Sequence, residues 1–140
     1  MGFLQKPKPL ESLPRFGDLS DTEMRQVCEA GREVNVPEGW SLVWEHTPAD
    51  KAYLVLEGKA GVRHGGETIA ELGPGDIVGE VALRERRLRT ATVFALTPLT
   101  LLHFTSETFQ QLYDTISGFR AAVDRAVAER TGAYQASEGA

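Results

Sequence analysis

A chain of 140 residues, 41% hydrophobic and 25% charged, is one ordinary globular domain, large enough to bury a core. Its formal net charge of −5 argues against a general surface for nucleic acid or anionic membrane. The single cysteine, Cys28, supports neither a disulfide framework nor a zinc cluster, and reads as a small core residue. Lys6 and Lys8 precede no apolar segment, and no stretch is long enough to span a bilayer, so a cytoplasmic location is expected.

Residues 1–10 carry Pro7 and Pro9 and read as an extended, flexible lead. Leu13-Pro14-Arg15-Phe16 then introduces a helix. Ser20 and Glu23 have capping-box spacing, Met24, Val27 and Cys28 follow at helical spacing, and Gly31 is placed as a C′ stop. From 32 to 104 the pattern changes to short strands and turns. The strand candidates are Glu33–Val36, Trp40–Trp44, Ala52–Leu56, Gly61–His64, Glu67–Leu72, Ile77–Val78, Ala91–Ala95 and Leu99–Phe104. Gly65-Gly66 marks a hairpin, and Gly58, Gly73 and Gly75 are read as turn glycines at positive φ. About eight short strands with no crossover helix between them predict a mainly β fold, an antiparallel β-roll of jelly-roll type. Phe109, Leu112, Tyr113, Ile116, Phe119, Val123 and Val127 recur at three and four. They predict two C-terminal helices, about 107–113 and 117–130, with a bend at the weak helix formers between them. Residues 131–140 read as a frayed, flexible tail.

One stretch carries chemistry: Gly79-Glu80-Val81-Ala82-Leu83, then Arg89-Thr90-Ala91-Thr92. Gly-Glu opens a helical turn, whose free N–H groups attract an anion. A guanidinium grips two phosphate oxygens in a fork. A carboxylate accepts hydrogen bonds from hydroxyls and repels a second phosphate. Taken singly, Glu80 reads as an acid favoured by a helix start and Arg89 as a surface arginine. Together they ask for one molecule with an anionic group near Arg89 and hydroxyls near Glu80. Arg84, Glu85, Arg86 and Arg87 read as a solvated charged loop.

The pattern G-E-V-A-L, five residues, then R-T-A-T-V resembles the phosphate-binding cassette of cyclic nucleotide-binding domains. The resemblance covers most of 13–130 and implies a cyclic nucleotide-binding domain over 11–130, with its β-roll at 32–104 and its B and C helices at 106–130. It implies that Glu80 binds the ribose 2′-hydroxyl and Arg89 the cyclic phosphate. Gly79 and the backbone N–H groups around Val81, Ala82 and Ala91 complete the cradle. Val62, Leu72 and Val78 are expected to form the apolar wall under the purine. Thr90 bears on base choice: a hydroxyl there accompanies cGMP in eukaryotic members, and bacterial cAMP receptors also carry one. Tyr113, Phe119 and Tyr134 are candidates to cap the base.

The expected function is non-catalytic binding of a cyclic mononucleotide, with cAMP favoured over cGMP but the base left open, and with no cofactor and no metal. The domain is expected to stand alone, without an appended DNA-binding or kinase domain, and to act on an effector protein or a second copy through its last helix. Ser117-Gly118 stands where many members carry Pro and suggests a looser hinge. Two alternatives stay open: a ligand-free interaction module of the same fold, and a cupin-like metalloenzyme. The latter would use His46, His64 and His103, which lack the close His pair that cupins need. Trp40, Trp44 and Tyr53 are assigned to the barrel core or sheet surface.

Overall fold

A computed structural model describes residues 13–44, 51–78 and 91–138. A 3-10 turn, Pro14–Phe16, precedes helix α1, Asp21–Ala30. Eight strands follow among the described residues: β1 Arg32–Val36, β2 Ser41–Val43, β3 Lys51–Glu57, β4 Ala60–His64, β5 Glu67–Leu72, β6 Ile77–Val78, β7 Thr92–Ala95 and β8 Leu99–Thr105. Helices α2, Ser106–Thr115, and α3, Ser117–Glu138, close the chain.

The capping box at the start of α1 is complete. The Glu23 N–H donates to Ser20 Oγ at 3.1 Å, and the Ser20 N–H donates to Glu23 Oε1 at 2.9 Å. Both bonds satisfy amides that the first turn leaves without helical partners. Gly31 does end this helix, but in extended backbone (φ −94°, ψ 172°) rather than as a left-handed C′ stop. Its need for a missing side chain is steric: a Cβ there would lie 2.8 Å from Phe104 Cε1.

The strands form two four-stranded sheets, ordered β1-β8-β3-β6 and β2-β7-β4-β5, and every pairing is antiparallel. The chain passes repeatedly from one sheet to the other, which is the expected roll. Among the described residues only β4 and β5 pair as a hairpin of consecutive strands. Gly65 (φ 61°) and Gly66 (φ 85°) make its two-residue turn, where both central positions require positive φ. Gly58 (φ 95°) and Gly75 (φ 93°) also have positive φ; Gly73 does not, contrary to the sequence reading. The Gly73 N–H instead donates to Asp76 Oδ2 at 2.8 Å, which closes that turn through a side chain.

The β1-β8-β3-β6 sheet is a middle layer. Ala52, Leu54, Leu56, Ile77, Leu102 and Phe104 face the helices. Val55, Val78, Leu99 and Leu101 face the second sheet. Burial on both faces explains why Leu54-Val55-Leu56 is apolar without alternation. On the helical side Phe16, Phe104, Phe109 and Phe119 are all sealed from solvent. Phe119 meets Phe109 edge-on at 5.7 Å and Phe104 at 6.1 Å between ring centroids. Burying each such ring contributes about 1.5–3 kcal/mol, so this cluster is the main tie between α2, α3 and the roll.

The break between the two last helices falls on Ile116, which is buried and extended (φ −115°, ψ 102°). The helix bounds are wider than the sequence reading: α3 stays helical to Glu138, past the boundary set at 130 and through most of the segment read as a frayed tail. Cys28 is half-buried and packs against the helical-side core. Trp40 and Trp44 are surface residues, 64% and 61% exposed, which decides between the two assignments left open for them.

Candidate functional site

Residues 79–90, which carry Gly79, Glu80, Val81, Ala82, Arg89 and Thr90, lie outside the described residues. Their two ends are described, and these define the site. The segment leaves from Val78, the last residue of β6, at the edge of one sheet. It returns at Ala91, just before β7 in the other sheet. The departure point is held by the Gly73–Asp76 turn and its ties to β3. The Val55 N–H donates to the Asp76 carbonyl at 2.9 Å, and the Gly75 N–H donates to the Val55 carbonyl at 2.8 Å. At the return point Ala91 packs against the apolar core of the roll, and Thr92 beside it is 7% exposed and paired with Arg63.

Both ends meet the same apolar cluster. Val78 belongs to it, as do Val62 and Leu72, the other two residues assigned to a purine wall. The structure therefore brings Val62, Leu72, Val78 and Ala91 together. Val62 lies opposite Val93 and Ala70, Leu72 opposite Ala60, and Val78 opposite Tyr53. Val62, Leu72 and Val78 are 0%, 4% and 2% exposed, so in this structure they serve as core. The segment they flank carries four arginines, Arg84, Arg86, Arg87 and Arg89, against two glutamates, in a chain whose net charge is −5. That local excess of positive charge suits an anionic ligand.

Helix α3 contacts β5 and β6, an edge strand of each sheet. Its first turn sits hard against Leu19, since a Cβ on Gly118 would come within 2.9 Å of Leu19 Cδ1. Gly118 thus lets the helix approach closely, which gives it a packing role at the joint where the sequence reading saw looseness. Of the base-capping candidates, Phe119 is excluded as a lid in this conformation because it is fully buried in the helical-side core. Tyr113 is half-buried and stacks on Phe109, and its hydroxyl donates to Asp124 Oδ1 at 2.7 Å. The side chain of Tyr134 lies outside the described residues.

Two features beside the site, the burial of Thr92 and the contact of Tyr53 with His103, were not read from the sequence. Thr92 is the one buried polar residue among those described, and strand alternation gave no sign of its burial. Tyr53 lies opposite both Val78 and His103, with its ring 5.5 Å from the His103 imidazole. Among the described residues no group of three or more His, Cys, Asp or Glu side chains gathers as metal ligands. His64 is exposed at the β4–β5 hairpin, and His46 lies outside the described residues.

The family model of the cyclic nucleotide-binding domain matches residues 33–116, from β1 to the end of α2. The chain belongs to the cyclic nucleotide-binding domain family. It is 30% identical over 131 residues to a cyclic nucleotide-gated potassium channel of Mesorhizobium japonicum, covering 94% of this chain and 36% of that protein. It is 35% identical over 105 residues to the cAMP-dependent protein kinase regulatory subunit of Yarrowia lipolytica, covering 74% of this chain and 28% of that protein. The chain thus spans about a third of the length of these curated relatives. The fold superposes on a cyclic nucleotide-binding domain from Methylobacillus flagellatus with a TM-score of 0.77 at 23% identity, over 96% of this chain and 81% of that one. Residues 79–90 fall within the span that the family model matches, between β6 of one sheet and β7 of the other. No helix among the described residues is long and apolar enough to cross a membrane.

Proposed function

We propose that this domain binds a cyclic mononucleotide, cAMP in preference to cGMP, without catalysing a reaction on it, and acts as a cytoplasmic sensor. The observation that carries the reading is the cassette's setting. A segment with Gly79-Glu80 at one end and Arg89-Thr90 at the other starts and finishes on one buried apolar cluster, in a member of this family. Arg89 takes the cyclic phosphate in a two-pronged, charge-assisted contact, and the backbone N–H groups of Gly79, Val81, Ala82 and Ala91 add donors. Glu80 accepts from the ribose 2′-hydroxyl. The purine lies along Val62, Leu72 and Val78, and Thr90 faces its edge. The named cAMP dependence of the Yarrowia lipolytica relative supports adenine over guanine.

The reading needs no cofactor and no metal. Ligand binding resets α3, and the readout passes to an effector protein, or to a second copy through that helix, rather than to nucleic acid. Calorimetric titration with cAMP, cGMP and linear AMP tests it. The expected result is micromolar or tighter binding of cAMP, weaker binding of cGMP and far weaker binding of AMP. Absence of heat and of thermal shift with both cyclic ligands would overturn it in favour of a ligand-free interaction module.

A further inference from the structure

The joint between α2 and α3 is one residue long, and side chains span it. Ile116 alone separates the helices. Arg120, in the first turn of α3, reaches back to the end of α2: its Nε donates to the Tyr113 carbonyl at 2.9 Å and its Nη2 to the Asp114 carbonyl at 2.8 Å. These carbonyls belong to the last turn of α2, which has no helical donors left for them, and a cation suits that end of the helix dipole. One turn further along α3, Asp124 accepts the Tyr113 hydroxyl at 2.7 Å. The Arg120 guanidinium also lies 5.7 Å from the centre of the Tyr113 ring. Arg120 and Asp124 are four apart and so share one face of α3. The adjacent face, with Phe119, Ala122, Val123 and Ala126, is buried in the core.

We infer that Arg120, Tyr113 and Asp124 form a latch that holds α3 in its seated position against β5 and β6, and that this latch sets how tightly the domain retains a cyclic nucleotide. Its second half rests on the function proposed above. A swing of α3 about Ile116 has to part all three hydrogen bonds. These bonds lie at or near solvent, so each opposes the swing modestly and can be exchanged for water. The apolar face resists displacement through area; the latch resists it through geometry, because its bonds form only at one angle between the helices. If only the seated helix completes the pocket, apparent affinity scales with the seated fraction. Arg120 is therefore a positioning residue, acting on the ligand through α3.

Two measurements on the full chain test this. The first is amide hydrogen exchange in the ligand-free protein. Arg120→Ala should lower protection of α3 amides at 120–126 about tenfold and Tyr113→Phe about threefold, with β3 and β8 unchanged. Arg120→Lys, which keeps the charge but loses the two-pronged reach, should fall between wild type and Arg120→Ala. Unchanged α3 protection in both Arg120→Ala and Tyr113→Phe, or an equal loss on β3 and β8, would overturn the latch. The second is dissociation of a fluorescent cAMP analogue, which should quicken in the same order of variants. A wild type that binds but an Arg120→Ala variant whose α3 opens with no change in dissociation would overturn the link to retention. A wild type that binds no cyclic nucleotide would refute the proposed function, and exchange alone would then decide the latch.

Discussion

Under the proposed function Arg89 and Glu80 would divide the recognition of one small molecule into charge and hydroxyl, and the two roles differ in what removal would cost. A phosphate taken from water into a partly desolvated site depends on its cation. Arg89→Ala is expected to lose about 2–5 kcal/mol of cAMP binding, since it removes a forked contact and leaves a desolvated anion behind. Titration of the variant checks this; affinity equal to wild type would take Arg89 out of the site. Glu80→Gln keeps the shape and one acceptor but loses the charge, so a smaller loss of about 1.5–3 kcal/mol is expected. A 2′-deoxy ligand should bind wild type more weakly, and that difference should shrink on Glu80→Gln. If wild type binds ribose and deoxyribose ligands alike, Glu80 does not hold the 2′-hydroxyl. Both residues were nominated from their spacing, a sequence property, and they lie outside the described residues. The burial of Thr92 was not legible in the sequence, because strand alternation says which residues share a face and not how deeply that face is covered.

At the scale of elements, strand limits fell within a residue or two of those read from apolar runs and turn residues, and the capping box placed α1 before any contact was known. What failed was anything set by a distant neighbour. Gly31 is small because Phe104 lies across it, and Gly118 because Leu19 does. Phe119 was a candidate lid until the helical-side core claimed it, since helical periodicity alone cannot separate a core face from a ligand face. Gly58 shows both kinds of constraint. Its positive φ was expected from the turn between β3 and β4, but its packing was not. A Cβ there would overlap the Pro98 carbonyl oxygen and come within 2.9 Å of Thr97 Oγ1. The same corner is tied by the Lys59 N–H donating to Thr97 Oγ1 at 2.9 Å and the Leu96 N–H donating to the Lys59 carbonyl at 2.9 Å. Gly58→Ala thus adds backbone strain to a backbone collision, and is expected to destabilise the fold by about 2–4 kcal/mol. Urea unfolding followed by circular dichroism is the suitable measurement. Trp40 and Trp44 are already 64% and 61% exposed, so their emission would change little on unfolding. A midpoint matching wild type would mean that this corner relaxes at no cost.

At the scale of the molecule, residues 79–90 follow β6 at the edge of one sheet and precede β7 in the other, and α3 touches an edge strand of each. Under the proposed function a ligand held by residues 79–90 would connect the two sheets. Such a ligand binds only the folded chain, because in the unfolded state Arg89, Glu80 and the wall residues are scattered along the sequence. Mass action then gives about 2.7 kcal/mol of added stability at a ligand concentration one hundred times the dissociation constant. For a domain of this size that corresponds to a rise in Tm of roughly 5–10 °C with cAMP. The same concentration of cAMP should move Arg89→Ala by less than about a third as much, because the affinity lost at that residue leaves its site largely empty. Linear AMP should move neither protein, since its doubly charged phosphate brings a second negative charge towards Glu80. A Tm that rises equally for wild type and Arg89→Ala would show that the nucleotide stabilises the chain from somewhere other than the cassette, and the role given to residues 79–90 would have to be abandoned.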